Sequence, residues 1–233
     1  KLQIFKLQTN NNFAIINKKF KKIFLKKKFK SKLIFPNEKK YKNIKHKIKN
    51  YYLNLNINDE NMSYIYAFSK LLGIREKSFT QSMKTFKGLS HRFEIFLTKK
   101  NITFINDSKA TSFNAARSAL SSLKNIYWIL GGLPKKDDKF KLSQCKKNII
   151  KCYIIGKNLN FFKKQIKNNL VFSLTKNLEN SINQILQDTK LQKNTKKNIL
   201  LSPAAASFDQ FSNFENRGDE FKRLCKKYAR KFI

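Results

Sequence analysis

A carboxylate, two hydroxyls and an ammonium group fall within one short stretch of this sequence, NDSKAT at residues 106–111. The residues before it, 101–105, are mainly β-branched and aromatic and predict a buried strand, whereas residues 114–120 predict a helix. In an α/β sheet such a turn lies at the carboxyl end of a strand, where ligands bind, and the free N–H groups of the helix start favour an anion. The pattern predicts a ligand site. The alternative is an ordinary polar loop in which Asp107 or Ser108 caps the helix.

Three further motifs lie on either side of this turn. GLSHRFE spans residues 88–94, ILGG spans 129–132, and SPAAASFDQFSNFENRG spans 202–218. Together with NDSKAT, they closely resemble the Mur ligases of peptidoglycan synthesis. HRFE followed by SFDQFxNFExRG is most similar to the members that add D-glutamate, and members that add L-alanine or a diamino acid are the alternative. The resemblance covers about the whole chain, strongly after residue 88 and weakly before it.

This resemblance implies an ATP-dependent ligase. In the family, ATP phosphorylates the carboxylate of UDP-N-acetylmuramoyl-L-alanine, and the amine of D-glutamate then displaces phosphate from the acyl phosphate. Such a reaction needs cations on the phosphates, an aligned acyl phosphate and a dry site. The implied cofactors are ATP and Mg2+, and the implied partners are the two small-molecule substrates. The family also implies a cytoplasmic monomer.

The resemblance assigns roles to particular residues. Lys1, in KLQIF, matches a family lysine that is carbamylated and helps to hold Mg2+, and a carbamate oxygen suits a hard cation. Lys1 and Lys109 are the implied catalytic residues. The implied ATP-binding residues are Asn58, Asn61, His91, Arg92, Asp107 and Lys109. The implied D-glutamate-binding residues are Thr111, Lys135, Ser207, Phe208 and Phe214.

Three of these assignments lie in the weakly matching part of the chain. Lys1 is also one of many lysines, and only a few residues around it match. The family has a His-Asn-x-x-Asn signature, in which Asn58 and Asn61 match but Ile57 stands in place of the histidine. A cluster of Asn and Asp residues that caps a helix explains both asparagines as well.

Alternatives also stay open within the D-glutamate group. Lys136 can replace Lys135, because the loop after ILGG differs in length by one residue. Phe208 stands where some relatives have Leu, which is tolerable if its backbone makes the contact. Phe214 can equally be a core aromatic residue.

The pattern from residue 92 onward predicts a Rossmann-like doubly wound α/β domain. No GxGxxG fingerprint supports a nicotinamide cofactor. The predicted domains are the C-terminal part of a central α/β ATPase domain at 1–88 and a C-terminal Rossmann-like domain at 89–233, which binds D-glutamate and closes on ATP. Strands are predicted at 93–97, 102–105, 126–130, 152–156, 170–172 and 198–201, the first two as a possible hairpin, and helices at 178–187 and 217–232.

The first 88 residues give weaker patterns. Residues 13–17 predict a strand, and 23–25 and 33–35 are weaker strand candidates. Residues 38–50 are rich in lysine and poorly patterned, which predicts a solvated surface segment with His46 as a bystander. Helices are predicted at 58–73, with Gly73 as C-cap, and at 76–86.

The formal net charge of +37 makes a basic nucleic-acid-binding protein the alternative from a different class. Only six of the 51 basic residues are Arg, and the lysines are scattered among many Asn, Ile and Phe residues. That mixture is typical of an AT-rich genome, whereas a nucleic-acid surface concentrates Arg and stacking aromatics. We therefore expect no specific nucleic-acid partner. Three cysteines without CxxC spacing fit a reducing cytosol, and no apolar run approaches the ~18 residues of a membrane span.

The sequence has no Gly-rich P-loop followed by Lys and Ser or Thr, and its first residue is not Met. By the resemblance, we expect the carboxyl-terminal part of a ligase, without the N-terminal domain that holds the UDP sugar and without the P-loop. We also expect this chain to be inactive alone. ATP-dependent ligation by the purified chain would contradict that expectation.

Overall fold

The structure is a computed structural model that describes residues 2–50, 52–140, 145–190 and 195–232, with side chains to Arg230. It divides into two compact units, residues 1–87 and 88–233. Lys1 lies outside the described residues, so its predicted role is untouched by the structure. Within the described part, no helix is both long enough and apolar enough to cross a membrane.

The first unit contains a short parallel pair of strands, β1 (Phe13–Ile15) and β2 (Lys32–Ile34). The prediction of a strand at 23–25 was wrong, because these residues lie in a helix from which Phe24 packs with Ala14 and Ile16. The helices of this unit are α1 (Gln3–Lys6), α2 (Lys21–Lys26), α3 (Glu38–Lys45), α4 (Asp59–Leu71) and α5 (Glu76–Lys84).

The prediction that residues 38–50 form a solvated surface segment was also wrong. Residues 38–45 form α3, which begins at the N-cap Asn37. Tyr41, Ile44 and Ile48 are buried in one core cluster with Met62. Tyr41 and Ile44 mark the buried face of α3, and Ile48 follows just beyond its end. The many lysines between these residues hid the pattern. Gly73 follows α4 with φ +69°, as its predicted capping position requires.

The second unit is built on a sheet in which β3 and β4 form the expected antiparallel hairpin. The described strands run in the order β3-β4-β8-β5-β6-β7, and the pairs after β3 are parallel. This confirms the mostly parallel α/β fold. The strands are β3 (Glu94–Lys99), β4 (Ile102–Asn106), β5 (Ile126–Gly131), β6 (Ile149–Ile155), β7 (Phe172–Lys176) and β8 (Lys197–Leu201), and the helices are α6 (Phe113–Ser122), α7 (Leu159–Ile166), α8 (Leu178–Lys190) and α9 (Phe214–Phe232).

The core of the second unit explains this order. Every residue of β5 is buried, as a strand covered on both faces requires. Side chains from β4, β5, β6, α8 and α9 meet in one cluster that includes Phe104, Ile129, Ile182 and Phe221. The β7 strand begins two residues later than predicted. It lies at the end of the sheet, and its polar residues Ser173, Thr175 and Lys176 interrupt the apolar pattern.

Candidate functional site

The carboxyl ends of β4, β5, β6 and β8 form one edge of the second unit, here called the carboxyl edge. Because β4 and β8 are parallel neighbours, the NDSKAT turn and the loop after β8 emerge side by side. The Ser202 hydroxyl donates to Asp107 Oδ2 at 2.8 Å, and the Asp107 N–H donates to the Leu201 carbonyl at 2.8 Å. Asp107 Oδ1 accepts the N–H of Phe93 at 3.1 Å. One carboxylate thus joins three of the sequence motifs.

These contacts decide against the ordinary capping alternative for the turn. The N-cap of α6 is Ser112, whose hydroxyl accepts the Ala115 N–H. Asp107 bonds to other motifs, and Ser108 Oγ donates to the Phe214 carbonyl at 2.8 Å. The polar residues of the turn therefore hold the carboxyl edge together and do not cap the helix.

Burial raises the pKa of Asp107 from 3.8 to about 6, and the hydrogen bonds from Ser202 and Phe93 and the charge of Arg92 oppose this shift only in part. The native state therefore holds the Asp107 proton at pH values where the unfolded chain has lost it. The ionised carboxylate destabilises the fold, fully so above about pH 6. This cost disappears as the pH falls below the unfolded value of 3.8.

We expect Asp107→Asn to remove this pH dependence. In the wild type, the free energy of unfolding should fall between pH 4 and pH 6 by about 2 kcal/mol more than in the variant. Urea unfolding of both proteins at several pH values measures the difference, and the comparison cancels the contributions of all other carboxylates. Parallel pH profiles for the two proteins would contradict the prediction.

His91 is held by its surroundings in a specific orientation. Its backbone has φ +61°, and its ring is buried. Asn106 Oδ1 accepts the Ser108 N–H, so the Asn106 amide nitrogen faces His91 Nδ1 at 3.0 Å and donates to it. The proton of the neutral ring therefore sits on Nε2, which lies 3.9 Å from Asp219. Nε2–H is the one ring donor left for a ligand.

Phe214 contacts two of the predicted ATP-binding residues. The Lys109 ammonium lies 3.6 Å from the centre of its ring, a cation–π contact, and the His91 ring packs edge-on at 5.9 Å. The Lys109 N–H also donates to the His91 carbonyl at 3.0 Å. Phe214 is only partly buried, so it is not simply a core residue. The structure brings His91, Asp107, Lys109 and Phe214 into one group.

Apart from Phe214, which begins α9, the predicted D-glutamate residues lie on three loops that bond to one another. Leu133 and Ala206 exchange backbone hydrogen bonds of 2.9 and 3.0 Å, which join the loop of Lys135 to the loop of Ser207. The N–H of Phe113, at the start of α6, donates to Asp138 Oδ2 at 2.8 Å, which joins the same loop to the segment of Thr111.

Exposure differs among these residues. Ser207 is buried and the Phe208 side chain is 70% exposed, which agrees with a contact through the Phe208 backbone only. Lys135 and Lys136 are both exposed, so their burial does not choose between them.

The two asparagines lie in the first unit. Asn58 is buried, and its amide donates to the Tyr52 carbonyl at 2.6 Å. It is the N-cap residue of α4 by position, but its side chain makes no capping hydrogen bond. Asn61 is exposed. The capping explanation for Asn58 is therefore wrong, while the nucleotide role of both residues stays a prediction.

Arg217 lies in the SPAAASFDQFSNFENRG motif. The sequence indicated no role for it, but the structure does. Its side chain is buried, and Nε donates to Ser108 Oγ at 3.0 Å. Nη2 donates to the carbonyls of Ser108 and Ala205 at 2.8 and 3.0 Å. The sequence contains a signal for this role. Arg is rare in this lysine-rich chain, so an Arg indicates a position where the guanidinium fork is needed.

No metal site is found among the residues that the structure describes. They contain no group of three or more His, Cys, Asp or Glu side chains that could hold an ion.

Known proteins share this sequence over most of its length. The chain is 37% identical over 172 residues to the UDP-N-acetylmuramoylalanine–D-glutamate ligase of Rickettsia felis. The matched residues make up 74% of this chain and 38% of that protein. It is equally similar to the ligase of the same name from a Brugia malayi Wolbachia, over 180 residues, 77% of this chain and 36% of that protein. The chain belongs to the Mur ligase family. It spans little more than a third of the length of these relatives.

Solved structures of Mur ligases share the fold at low sequence identity. MurF from Thermotoga maritima in complex with ADP has a TM-score of 0.57 at 13% identity, over 97% of this chain and 57% of that one. MurF from Acinetobacter baumannii has a TM-score of 0.52 at 12% identity, over 72% of this chain and 38% of that one. No protein-family profile matches the chain.

Proposed function

We propose that this chain forms the part of a UDP-N-acetylmuramoylalanine–D-glutamate ligase that binds D-glutamate and closes on ATP. One observation carries the proposal: Asp107 of the NDSKAT turn bonds to both the HRFE segment and the SPAAAS loop. Motifs that are far apart in sequence therefore form one site. The ligase names of the relatives at 37% identity support it. The ADP complex of the Thermotoga maritima neighbour agrees with a nucleotide ligand.

In this proposal, the group around Phe214 contacts ATP. Lys109 supplies a point charge to a phosphate, and the Nε2–H of His91 donates to a phosphate or ribose oxygen. Arg92 offers a rigid fork that suits a phosphate, and Asp107 orients ribose hydroxyls or water. These residues favour phosphoryl transfer by position and charge, and none of them forms a covalent intermediate.

The neighbouring loops bind the amino acid. Thr111 and Ser207 donate from their hydroxyls, and the Phe208 backbone N–H adds a further donor to one carboxylate. Lys135 or Lys136 pairs with the side-chain carboxylate. The amine of D-glutamate then attacks the acyl phosphate of UDP-N-acetylmuramoyl-L-alanine and releases phosphate, while the edge keeps the two reactants aligned.

The remaining assignments belong to the same proposal. Asn58 and Asn61, in residues 1–88, are proposed nucleotide contacts, and the ATP and D-glutamate residues named above lie in residues 89–233. ATP and Mg2+ as cofactors, Lys1 as a carbamylated metal ligand, and a cytoplasmic monomer all remain predictions.

Calorimetry with the 233-residue chain tests the proposal. We expect saturable binding of ATP and of D-glutamate, with L-alanine and diaminopimelate binding at least about tenfold more weakly than D-glutamate. Lys109→Met should weaken ATP binding by about tenfold or more. Lys226→Met, at an exposed position of α9, should leave ATP binding unchanged. A preference for L-alanine or diaminopimelate would assign a different Mur ligase. Tight nucleic-acid binding at physiological salt, without amino-acid binding, would overturn the proposal.

A further inference from the structure

The guanidinium of Arg217 carries a hydrogen-bonding atom that the fold leaves unused. Nε and Nη2 bond to Ser108 and Ala205, but Nη1 has no hydrogen-bond partner among the described residues and is buried. Nη1 lies beside Gly132 at the end of β5: a Cβ on Gly132 would stand 3.3 Å from it and 2.3 Å from the Ala206 carbonyl oxygen. The free donor thus lies where the ILGG and SPAAAS segments meet.

The charge of Arg217 is also poorly compensated. In the described part of the chain, no carboxylate lies within ion-pair distance of it. Asp209 is the acid whose charge acts on it, and Asp209 Oδ2 already accepts the Lys157 N–H at 2.9 Å. Burial lowers the pKa of Arg217 to about 10, which still leaves the side chain charged at neutral pH. A buried cation whose charge is only partly balanced is costly, and an incoming anion would reduce that cost.

We infer that Arg217 is a positioning residue that makes this site select an acidic amino acid over its neutral amide. The inference rests on the proposed function and adds the origin of its specificity. The Arg217 fork fixes Ser108, which precedes the predicted ligand residue Lys109, and Ala205, which lies two residues before Ser207. Its charge is only partly balanced by Asp209, and it favours a carboxylate bound at those loops. A neutral amino acid would gain the same loop geometry without the same electrostatic benefit.

Calorimetry with D-glutamate and D-glutamine tests this inference. The wild type should prefer D-glutamate, and Arg217→Met should reduce the ratio of the two affinities by about tenfold, mainly through weaker D-glutamate binding. Arg217→Lys keeps the charge and should keep most of the ratio. Ser108→Ala removes a contact of the fork but not the charge, and should weaken both ligands alike. If Arg217→Met does not fold, Arg217→Gln, which retains amide donors, carries the same expectation.

The outcomes separate the inference from the proposed function. If the wild type binds D-glutamate and folded Arg217→Met weakens both ligands equally, Arg217 is purely structural and the inference is overturned, while the proposed function stands. If the wild type binds neither ligand, the proposed function fails and this inference fails with it. A selective loss of D-glutamate in Arg217→Met, with the ratio retained in Arg217→Lys, supports the inference.

Discussion

Gly131→Ala should lower the free energy of unfolding of the second unit by more than about 3 kcal/mol. Gly131 ends β5 with φ +131°, a backbone conformation that residues other than glycine rarely adopt. A Cβ at this position would stand 2.0 Å from the Ile155 carbonyl oxygen. Gly131 and Ile155 are paired in the sheet, so the clash is between two backbones and neither can move without breaking the ladder. The cost therefore combines strain with lost strand pairing.

Urea unfolding followed by Trp128 fluorescence measures this effect, because the single tryptophan of the chain is buried in β5. Gly73→Ala is the matched control. Gly73 also has positive φ, at +69°, but a Cβ there would meet no atom within 4 Å. It should cost only about 1–2 kcal/mol, from backbone conformation alone, and circular dichroism can follow it. Equal losses in the two variants would mean that the Ile155 contact contributes nothing.

Gly218→Ala should destabilise the protein by about 2 kcal/mol, although alanine normally stabilises a helix interior by about 1 kcal/mol over glycine. Gly218 lies in the first turns of α9, where a Cβ would stand 2.2 Å from His91 Nδ1 and 2.9 Å from the Asn106 amide nitrogen. The methyl group would displace the His91 ring and break its bond to Asn106. If His91 contacts ATP as proposed, ATP affinity should fall with stability.

Nitrogen chemical shifts of the histidine rings provide a direct measurement, since the chain contains only His46 and His91. In Gly218→Ala, the His91 Nδ1 signal should move and the His46 signals should stay. Lys226→Ala, at an exposed position of the same helix, is the control and should be neutral or slightly stabilising. A Gly218→Ala protein that is more stable than wild type, with unchanged His91 signals, would contradict the packing described here.

The fold of the second unit could be predicted where strands are continuous apolar runs. Residues 126–130 predict a central strand. Both faces of β5 are covered, so its residues form a continuous apolar run and do not alternate with polar ones. Helix α3 could not be predicted in the same way. Its buried Tyr41 and Ile44, and Ile48 just beyond its end, are separated by lysines, and composition outweighed spacing in the interpretation.

The candidate site shows a similar division. Motif order made Asp107, Lys109 and His91 candidates, and the structure brings them together, while their roles stay predictions. The supports of these residues were not visible. Whether Asn106 would face His91, or Arg217 would be buried against Ser108, depends on which strands are neighbours, and pairings such as β4 with β8 come from the tertiary fold.

The pairing of β4 with β8 also has a consequence for how the protein is made. Asp107 and its partner Ser202 are 95 residues apart, and Ser108 bonds to Arg217 still further along the chain. Contacts of such long sequence separation form slowly, because a large loop must close before they stabilise anything. During synthesis the NDSKAT turn leaves the ribosome long before its partners exist. A ribosome that stalls before α9 would therefore release a chain with no assembled site.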